Sequence, residues 1–287
     1  MTAAVVCVVA VRVPERSWQS EVRAVRTVWR RDLIRFVNEP MSIVVWLLQP
    51  LLFLLVLGPG PQTLSAPSTD GVRLTTFMFP GVICMALVYS AMFSAASLVW
   101  DRELGFLREL MVAPVRRSSI VLGKCLGGAT IATSQGVLLL ALAGLVDVPY
   151  DPVLLLGVFG LEVLIAFTIT AFGVMVAICI KQARTFTSVM QLFVLPVMFP
   201  SGALYPVSDL PGWLRLLNRL NPLTYAVDPM RRLVFDRLDV SLVARRRLAP
   251  GVTWWGWQVP SLVEVAIVLA LGLAMLAVAI SRFTRTE

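Results

Sequence analysis

The sequence predicts an all-α integral membrane protein with six transmembrane helices, and three observations support this fold class. The 287 residues are 58% hydrophobic and 15% charged, with a mean hydropathy of +0.82. Soluble domains hold about 45–50% apolar and about 25% charged residues, so a soluble fold would leave apolar surface in water. The apolar residues form six continuous runs, and basic residues alternate between the segments that connect them. Disorder is excluded, because disordered chains are poor in hydrophobic residues.

The six apolar runs have the length of bilayer spans, for which about 20 apolar residues are needed. The predicted spans cover residues 41–58, 77–100, 122–146, 153–180, 186–207 and 260–280. Each is predicted to be a helix, because the runs do not alternate and only helices and closed barrels satisfy their backbone groups in lipid. Pro196, Pro200 and Pro206 interrupt the fifth run. A proline inside a helix removes a backbone hydrogen bond, so we expect a broken helix there.

Basic residues in the short connections predict the orientation. Seven arginines precede the first span, and Arg102, Arg108, Arg116 and Arg117 lie between the second and third spans, with Lys124 at the start of the third. The connection between the third and fourth spans has none. The alternation predicts a multi-pass protein of the plasma (inner) membrane with both termini in the cytoplasm. Residues 208–259 are the exception, since their eight arginines would lie outside, but long connections follow the rule weakly.

The residues before the first span divide into a tail and an amphipathic helix. Residues 1–16 are interpreted as a tail, because they lack the basic start of a signal peptide. Residues 17–38 place apolar side chains at helical spacing and arginines on the opposite faces. The apolar set is Trp18, Val22, Val25, Trp29, Leu33 and Phe36. This pattern predicts a helix in the lipid headgroup region, with docking on the protein itself as the alternative.

Two further segments are amphipathic. Residues 100–124 present the apolar anchors Phe106, Leu107, Leu110 and Met111 between charged residues. A partner groove can hold such a helix, and capping of the protein's own bundle is the alternative. After the fifth span, a stripe of apolar residues at 210–220 predicts short helices in or on the outer leaflet. An ordinary extracellular loop is the alternative there.

Few charges lie at membrane depth. Glu162 is nine residues into the fourth predicted span, where a carboxylate usually faces the bundle or a cavity. It is a candidate for contact with substrate, together with Phe93 and Tyr205. The alternative is a structural residue that is protonated or hydrogen-bonded, with Gln135 or Gln191 as its partner. The two aromatic residues could equally be lipid-facing or part of the core.

Two groups of residues carry a more specific pattern. The first consists of Phe79-Pro80-Gly81, Phe93-Ser94-Ala95 and the run DRELGFLRELMVAPV at 101–115. The second consists of SGALYP at 201–206, LPGWL at 210–214 and NPLTYAVD at 221–228. In this order and between these spans, the two signatures resemble the permease subunits of type-2 ABC exporters. That group includes the daunorubicin-resistance and nodulation-factor export permeases.

The resemblance implies six transmembrane helices per subunit and a pair of permease chains, identical or homologous, with two cytoplasmic ATP-binding subunits. It implies that residues 17–38 form a connecting helix and that residues 101–113 form a coupling helix on the ATPase. The coupling residues would be Asp101, Arg102, Glu103, Phe106, Leu107, Arg108, Glu109 and Leu110. Re-entrant helices would form an outer gate with Pro196, Pro200, Gly202, Pro206, Asn221 and Pro222. Drugs, lipids or glycan conjugates would move outward.

The sequence lacks a phosphate-binding loop, which indicates that a partner subunit hydrolyses ATP. The nearest approach to a phosphate-binding loop is Gly123-Lys124-Cys125, with Ser118 in place of the first glycine and no hydroxyl residue after the lysine. We therefore expect no catalytic residue, metal or cofactor in this chain, with ATP and Mg bound by the partner subunit. Nucleic acid is not an expected partner, because the basic residues flank apolar runs.

Three other functions are alternatives to an exporter. An ion-coupled secondary transporter would need ionisable residues in paired repeats, and one deep glutamate without a visible repeat argues against it. An intramembrane hydrolase is disfavoured, because the chain has no GxSxG or HExxH motif and no histidine. A passive scaffold stays open on sequence alone.

Overall fold

The computed structural model describes residues 18–57, 72–106, 116–204, 211–238, 240–254 and 257–286. The helices in these ranges are α1 (Trp18–Val37), α2 (Pro40–Leu57), α3 (Leu74–Glu103), α4 (Arg117–Leu140), α5 (Pro152–Cys179), α6 (Ala183–Met198), α7 (Gly212–Leu220), α8 (Thr224–Asp236), α9 (Leu242–Leu248) and α10 (Ser261–Thr286). Short 3-10 helices cover Ala143–Val146 and Phe199–Ser201. The predicted helical fold class is confirmed in its coarse form.

One short antiparallel hairpin departs from the all-α prediction. Strand β1 (Thr253–Trp254) pairs with β2 (Trp257–Gln258), with Trp254 opposite Trp257. The indole N–H of Trp254 donates to the Tyr225 hydroxyl at 2.9 Å, which fixes the hairpin on α8. Aromatic residues favour strands through such cross-strand pairing, and four residues are too few to give a periodic signal.

Three of the described helices are long and apolar enough to cross a membrane, namely Leu74–Glu103, Pro152–Cys179 and Ser261–Arg285. These are α3, α5 and α10, and α5 packs against both of the others. Six spans remain a prediction. The third predicted run is shorter as a helix, because α4 ends at Leu140 and the chain turns where the Tyr150 hydroxyl donates to the Ala141 carbonyl. The fifth run is helical only to Met198, since Pro200 follows.

Helix α3 is the centre of the bundle. It packs against α2, α4, α5, α6 and α8, and it is buried along most of its length. Its fully buried side chains include Phe77, Phe79, Ile83, Leu87 and Leu98. The helices around it leave large apolar side chains exposed: Val45, Leu48 and Leu52 on α2, Leu156 and Phe159 on α5, Leu192 and Leu195 on α6, and Leu262 and Leu273 on α10. An apolar outer surface of this kind is suited to lipid.

The bundle has two ends, which differ in the helices that meet there. At one end α3 and α5 finish, α4 and α6 begin, and α1 packs along α4; we call this the α1 end. At the other end, α8 packs on α3, α5 and α10, and it lies beside the interrupted end of α6; we call this the α8 end. The segments predicted to face the cytoplasm meet at the α1 end.

Candidate functional site

A buried charge cluster joins three helices at the α1 end. The Lys124 ammonium nitrogen of α4 lies 2.7 Å from Oδ2 of Asp101 on α3 and 3.0 Å from Oδ1 of Asp32 on α1. It also donates to the Ser97 hydroxyl at 2.9 Å, and all three charged side chains are less than a tenth exposed. Arg31 forms a further ion pair with Asp101. Buried charges are tolerated when they are paired and hydrogen-bonded, so this cluster fixes α1, α3 and α4 relative to one another.

The sequence reasoning did not identify Lys124 or Asp32 as site residues. Lys124 was noted only as a basic residue near a span and as part of a failed phosphate-binding motif. A usable signal was present, because Lys124 lies inside a predicted span and an ionised side chain there requires a partner. Asp101 at the end of the preceding span is the nearest acidic candidate in sequence, and the structure pairs it with Lys124.

Arg102 and Glu103, the two residues after Asp101, cap two other helices. Arg102 Nη1 donates to the Ile180 carbonyl at 3.0 Å and the Ala177 carbonyl at 3.3 Å, at the C-terminal end of α5. The Glu103 carboxylate accepts from the Ala183 backbone N–H at 2.9 Å, at the first residue of α6. A cation at a helix C-terminus and an anion at an N-terminus both satisfy unpaired backbone groups and complement the helix dipole.

Three consecutive residues therefore hold different parts of the bundle: Asp101 the cluster, Arg102 the end of α5 and Glu103 the start of α6. The resemblance assigned all three to contact with an ATPase. In the structure, all three side chains bind other helices of the same chain. Phe106, three residues after Glu103, is 48% exposed and accessible to a partner surface. Leu107, Arg108, Glu109 and Leu110 lie outside the described residues, so their predicted role stays a prediction.

At the α8 end, two asparagines cap the interrupted end of α6. Asn221 donates to the Val197 carbonyl, and Asn218 donates to the Pro200 carbonyl at 2.6 Å. Asn221 also accepts from the Leu223 backbone N–H at 3.0 Å. These carbonyls need side-chain donors because the helix stops where Pro200 supplies no N–H and Gly202 adopts a positive φ of 72°. Asn221 was predicted as a gate residue, and Asn218 was missed.

Four of the other predicted gate residues lie near the end of α6. Pro196, Pro200 and Gly202 lie at the α6 break, and Pro222 follows the capping Asn221. Pro206 lies outside the described residues. The structure thus brings four of the predicted positions together with Asn221 in one region around the end of α6.

The two signatures meet at the backbone of Ala203, beside Arg231 of α8. The Arg231 guanidinium is buried, donates to the Gly202 carbonyl at 2.7 Å and the Ala203 carbonyl at 3.1 Å, and lies over the Phe77 ring at 4.2 Å. Gly81 of the first signature approaches the same backbone so closely that a Cβ would overlap the Ala203 carbonyl oxygen. The sequence reasoning missed Arg231, because only the fold shows that it is buried.

Helix α7 buries a polar residue and exposes apolar residues, the reverse of an amphipathic helix on a soluble protein. Asn218 is its buried residue, whereas its large apolar residues are exposed: Trp213 at 67%, Leu216 at 58%, Leu217 at 44% and Leu220 at 71%. In water this arrangement would be unfavourable, since burial of apolar side chains is the main driving force of folding. The outward apolar face is consistent with the predicted contact with lipid, which remains a prediction.

Glu162 is fully buried, and neither of its carboxylate oxygens has a hydrogen-bond partner among the described residues. Gly136 of α4 faces it so closely that a Cβ there would lie 2.8 Å from the Glu162 carboxyl carbon. Phe93 lies elsewhere, edge-on to Trp100 with ring centroids 5.3 Å apart, in a small crevice beside Asp32. Glu162 and Phe93 thus have different surroundings, Tyr205 lies outside the described residues, and the predicted role of all three in a translocation path stays a prediction.

An apolar cavity of about 140 Å³ lies between α3, α5, α6, α8 and α10. Its walls include Met92 of α3, Phe172 of α5, Phe193 of α6, Leu223 before α8, and Met275 of α10. The Phe172 and Phe193 rings stack with centroids 5.0 Å apart. A cavity with this lining stays dry and accepts apolar groups, and the sequence reasoning did not foresee it.

The chain is similar in sequence to known membrane transport proteins. The sequence pattern of the ABC-2 type transporter family matches residues 23–235. The chain is 30% identical over 210 residues to a putative transport permease, ycf38, of Cyanophora paradoxa, covering 70% of this chain and 71% of that protein. It is 28% identical over 210 residues to nodulation protein J of Rhizobium leguminosarum bv. trifolii, covering 71% and 78%. It is 27% identical over 170 residues to the probable multidrug ABC transporter permease YbhR of Escherichia coli (strain K12), covering 58% and 46%.

Proposed function

The chain belongs to the ABC-2 type transporter family, and we propose from this premise that it is the permease subunit of an ATP-driven exporter. Members of this family are membrane components of ABC transporters and work with a separate ATP-binding subunit. In our proposal the chain crosses the plasma membrane six times, with both termini and the α1 end in the cytoplasm. Two permease chains and two ATP-binding subunits make up the transporter.

The observation that carries the proposal is the set of contacts made by Asp101, Arg102 and Glu103. These side chains, three to five residues before the exposed Phe106, are bonded to α4, α5 and α6. A partner that docks on Phe106 and the following residues would therefore move helices of the bundle when ATP closes it. Transport then follows from a change in conformation, and by linkage the cargo should alter the ATPase rate of the partner.

The proposed cargo is a drug, lipid or glycan conjugate with an apolar part. The cavity of about 140 Å³ supports this choice, because its lining offers contact to hydrocarbon and almost no polar group. Relatives named as a multidrug permease and a nodulation protein support the same range. In this proposal α7 is a re-entrant helix, since its apolar residues face outward.

Reconstitution tests the proposal directly. The chain is purified with its cognate ATP-binding subunit, placed in sealed vesicles and assayed for ATP-dependent movement of a fluorescent anthracycline and a fluorescent phospholipid. Phe106→Ala combined with Arg108→Glu should abolish binding of the ATP-binding subunit while the protein still inserts. The matched control is Val243→Ala on α9, which truncates another exposed apolar residue far from the α1 end. Unchanged complex formation and transport in the double variant would remove this segment from the mechanism.

An ion-coupled secondary transporter is the second candidate, and the buried carboxylate of Glu162 is the observation in its favour. A proton carrier within the membrane needs such a group. The discriminating experiment collapses the proton gradient with an uncoupler while ATP is kept high. Transport that stops under the uncoupler and in Glu162→Gln would favour this candidate, whereas an exporter driven by ATP should continue in the presence of the uncoupler.

A further inference from the structure

Helix α6 is fastened at both ends by side chains of the two signatures. At its first residue the Ala183 N–H donates to the Glu103 carboxylate at 2.9 Å. At its last turn the Val197 carbonyl accepts from Asn221, and the Pro200 carbonyl just beyond accepts from Asn218 at 2.6 Å. The 16 residues between these points span about 24 Å at 1.5 Å per residue. One helix therefore joins the α1 end of the bundle to the α8 end.

One side of α6 is packed in the core through Phe186, Met190 and Val194, and the opposite side is exposed. Helix α3 is the neighbour along which it packs, and the stacked pair of Phe172 and Phe193 joins it to α5. Its other surface is exposed, including Leu192 at 75% and Leu195 at 56%. Apolar contact of a helix with lipid does not fix its position along its axis. A displacement applied through the cap at Ala183 can therefore travel along the helix.

A proline lies in the last turn of α6, at the α8 end. Pro196 has no N–H, so one backbone hydrogen bond is missing near the end of the helix, and we expect the helix to bend most easily there. The carbonyl that Asn221 holds belongs to Val197, the residue directly after this proline. The Ala203 carbonyl, three residues beyond Pro200, meets Arg231 and Gly81. A shift of α6 would thus act first on the contacts that join the two signatures.

We propose that α6 transmits movement of the 101–106 segment to the interrupted backbone at 199–204, with Glu103 and Asn221 as the positioning residues at its two ends. This inference rests on the proposed function, because the movement comes from the ATP-binding partner. The Glu103 bond is charge-assisted and aligned with the helix dipole, so it links the end of α3 directly to the start of α6. Neither residue needs to touch the cargo.

The test measures exposure at the α8 end while nucleotide binds at the α1 end. In the reconstituted complex Cys7, Cys84, Cys125 and Cys179 are replaced by alanine, and Phe199→Cys, at a position 54% exposed, serves as the reporter. The rate of maleimide labelling is compared with and without a non-hydrolysable ATP analogue and Mg. We expect nucleotide to change this rate in the reference protein. Glu103→Ala and Asn221→Ala should each bring the ratio of the two rates to unity.

Two variants separate transmission from simple stability. Glu103→Gln keeps an oxygen that accepts from Ala183, so part of the nucleotide response should remain. Glu39→Ala removes another exposed carboxylate near the α1 end, whose partner is Arg35, and should leave the response intact. A structural role alone would lower the melting temperature of Glu103→Ala and leave the labelling ratio unchanged, and this result would overturn the inference.

The remaining outcomes are also decisive. If Glu103→Ala does not insert, Asn221→Ala makes the same comparison at the other end of α6, where a preserved response overturns the inference. A reference complex that transports and hydrolyses ATP without any nucleotide response at position 199 overturns it as well, and the proposed function stands. Failure of the ATP-binding subunit to bind at all contradicts the proposed function itself.

Discussion

In the Lys124 cluster at the α1 end, buried side chains pair with one another, whereas around the α6 break Asn221 and Arg231 bind backbone carbonyls. Lys124 contacts the carboxylates of Asp32 and Asp101, which come from two other helices. Asn221 and Arg231 instead donate to carbonyls around the α6 break, at Val197, Gly202 and Ala203. Both groups hold separate elements together, and they do so with different chemistry.

The difference follows from the state of the backbone at each end. Around Lys124 the backbone is helical, so its N–H and C=O groups are already paired and a charged side chain must find another side chain. At residues 197–203 the helix is interrupted, and free carbonyls require donors. Removal of a charge partner leaves a buried ion, while removal of an amide leaves a neutral carbonyl. The two ends should therefore respond to substitution by different amounts.

The largest effect is expected for Lys124→Met. It leaves Asp32 and Asp101 buried with the partly exposed Arg31 and Arg35 as the remaining cations, and loss of one partner of a buried ion pair costs about 3–5 kcal/mol. Unfolding by SDS in mixed micelles measures the loss. The triple variant Asp32→Asn, Asp101→Asn, Lys124→Met should recover much of it, because no buried charge is then left without a partner. A loss of unfolding free energy smaller than that of an exposed ion pair would show that the cluster does not hold α1, α3 and α4 together.

The next effect is expected for Gly81→Ala, where the new methyl group would overlap the Ala203 carbonyl oxygen. Overpacking of this kind costs about 1–3 kcal/mol, and the contact between the two signatures should open. The matched control is Gly160→Ala, because a Cβ at Gly160 meets no atom within 4 Å. The same unfolding titration, with labelling of Phe199→Cys, reports both changes. Equal stability of the two variants would contradict the close packing.

A comparable or smaller effect is expected for Asn221→Ala, which leaves the Val197 carbonyl without its donor. An unsatisfied buried acceptor costs about 1–3 kcal/mol, and a membrane environment supplies no water to replace the amide. Thermal unfolding in detergent compares this variant with Asn38→Ala, an exposed asparagine at the turn between α1 and α2. If both variants melt at the wild-type temperature, the cap contributes nothing to stability.

The smallest effect is expected for Glu39→Gln. Its partner Arg35 lies 3.4 Å away, and the two side chains are 48% and 39% exposed. Exposed ion pairs contribute about 0–1 kcal/mol and are screened by salt. A change in unfolding free energy that disappears at high salt would sharpen the contrast with Lys124. A loss as large as that of Lys124→Met would abolish the contrast.

Much of the organisation could be predicted from local patterns. Helices over 18–37 and 40–57 lie where periodicity and hydropathy predict them, and the proline-rich stretch after Phe186 is interrupted at Met198 as expected. The two signatures were located at 79–115 and 201–228 by their residues alone. The pairing of Lys124 with Asp32 was not predicted, because the two residues are 92 positions apart and no local rule links them.

The sequence by itself determined that this chain is helical, that it is rich enough in apolar runs for a membrane, and which family it belongs to. Hydropathy and periodicity act over neighbouring residues, so they are readable without a fold. The tertiary structure alone decided which polar groups meet: Glu103 with the start of α6, Asn221 with its end, and Arg231 with the backbone beside Gly81. These contacts depend on how separate helices pack, since a buried polar group takes whichever partner the packing brings within hydrogen-bond distance.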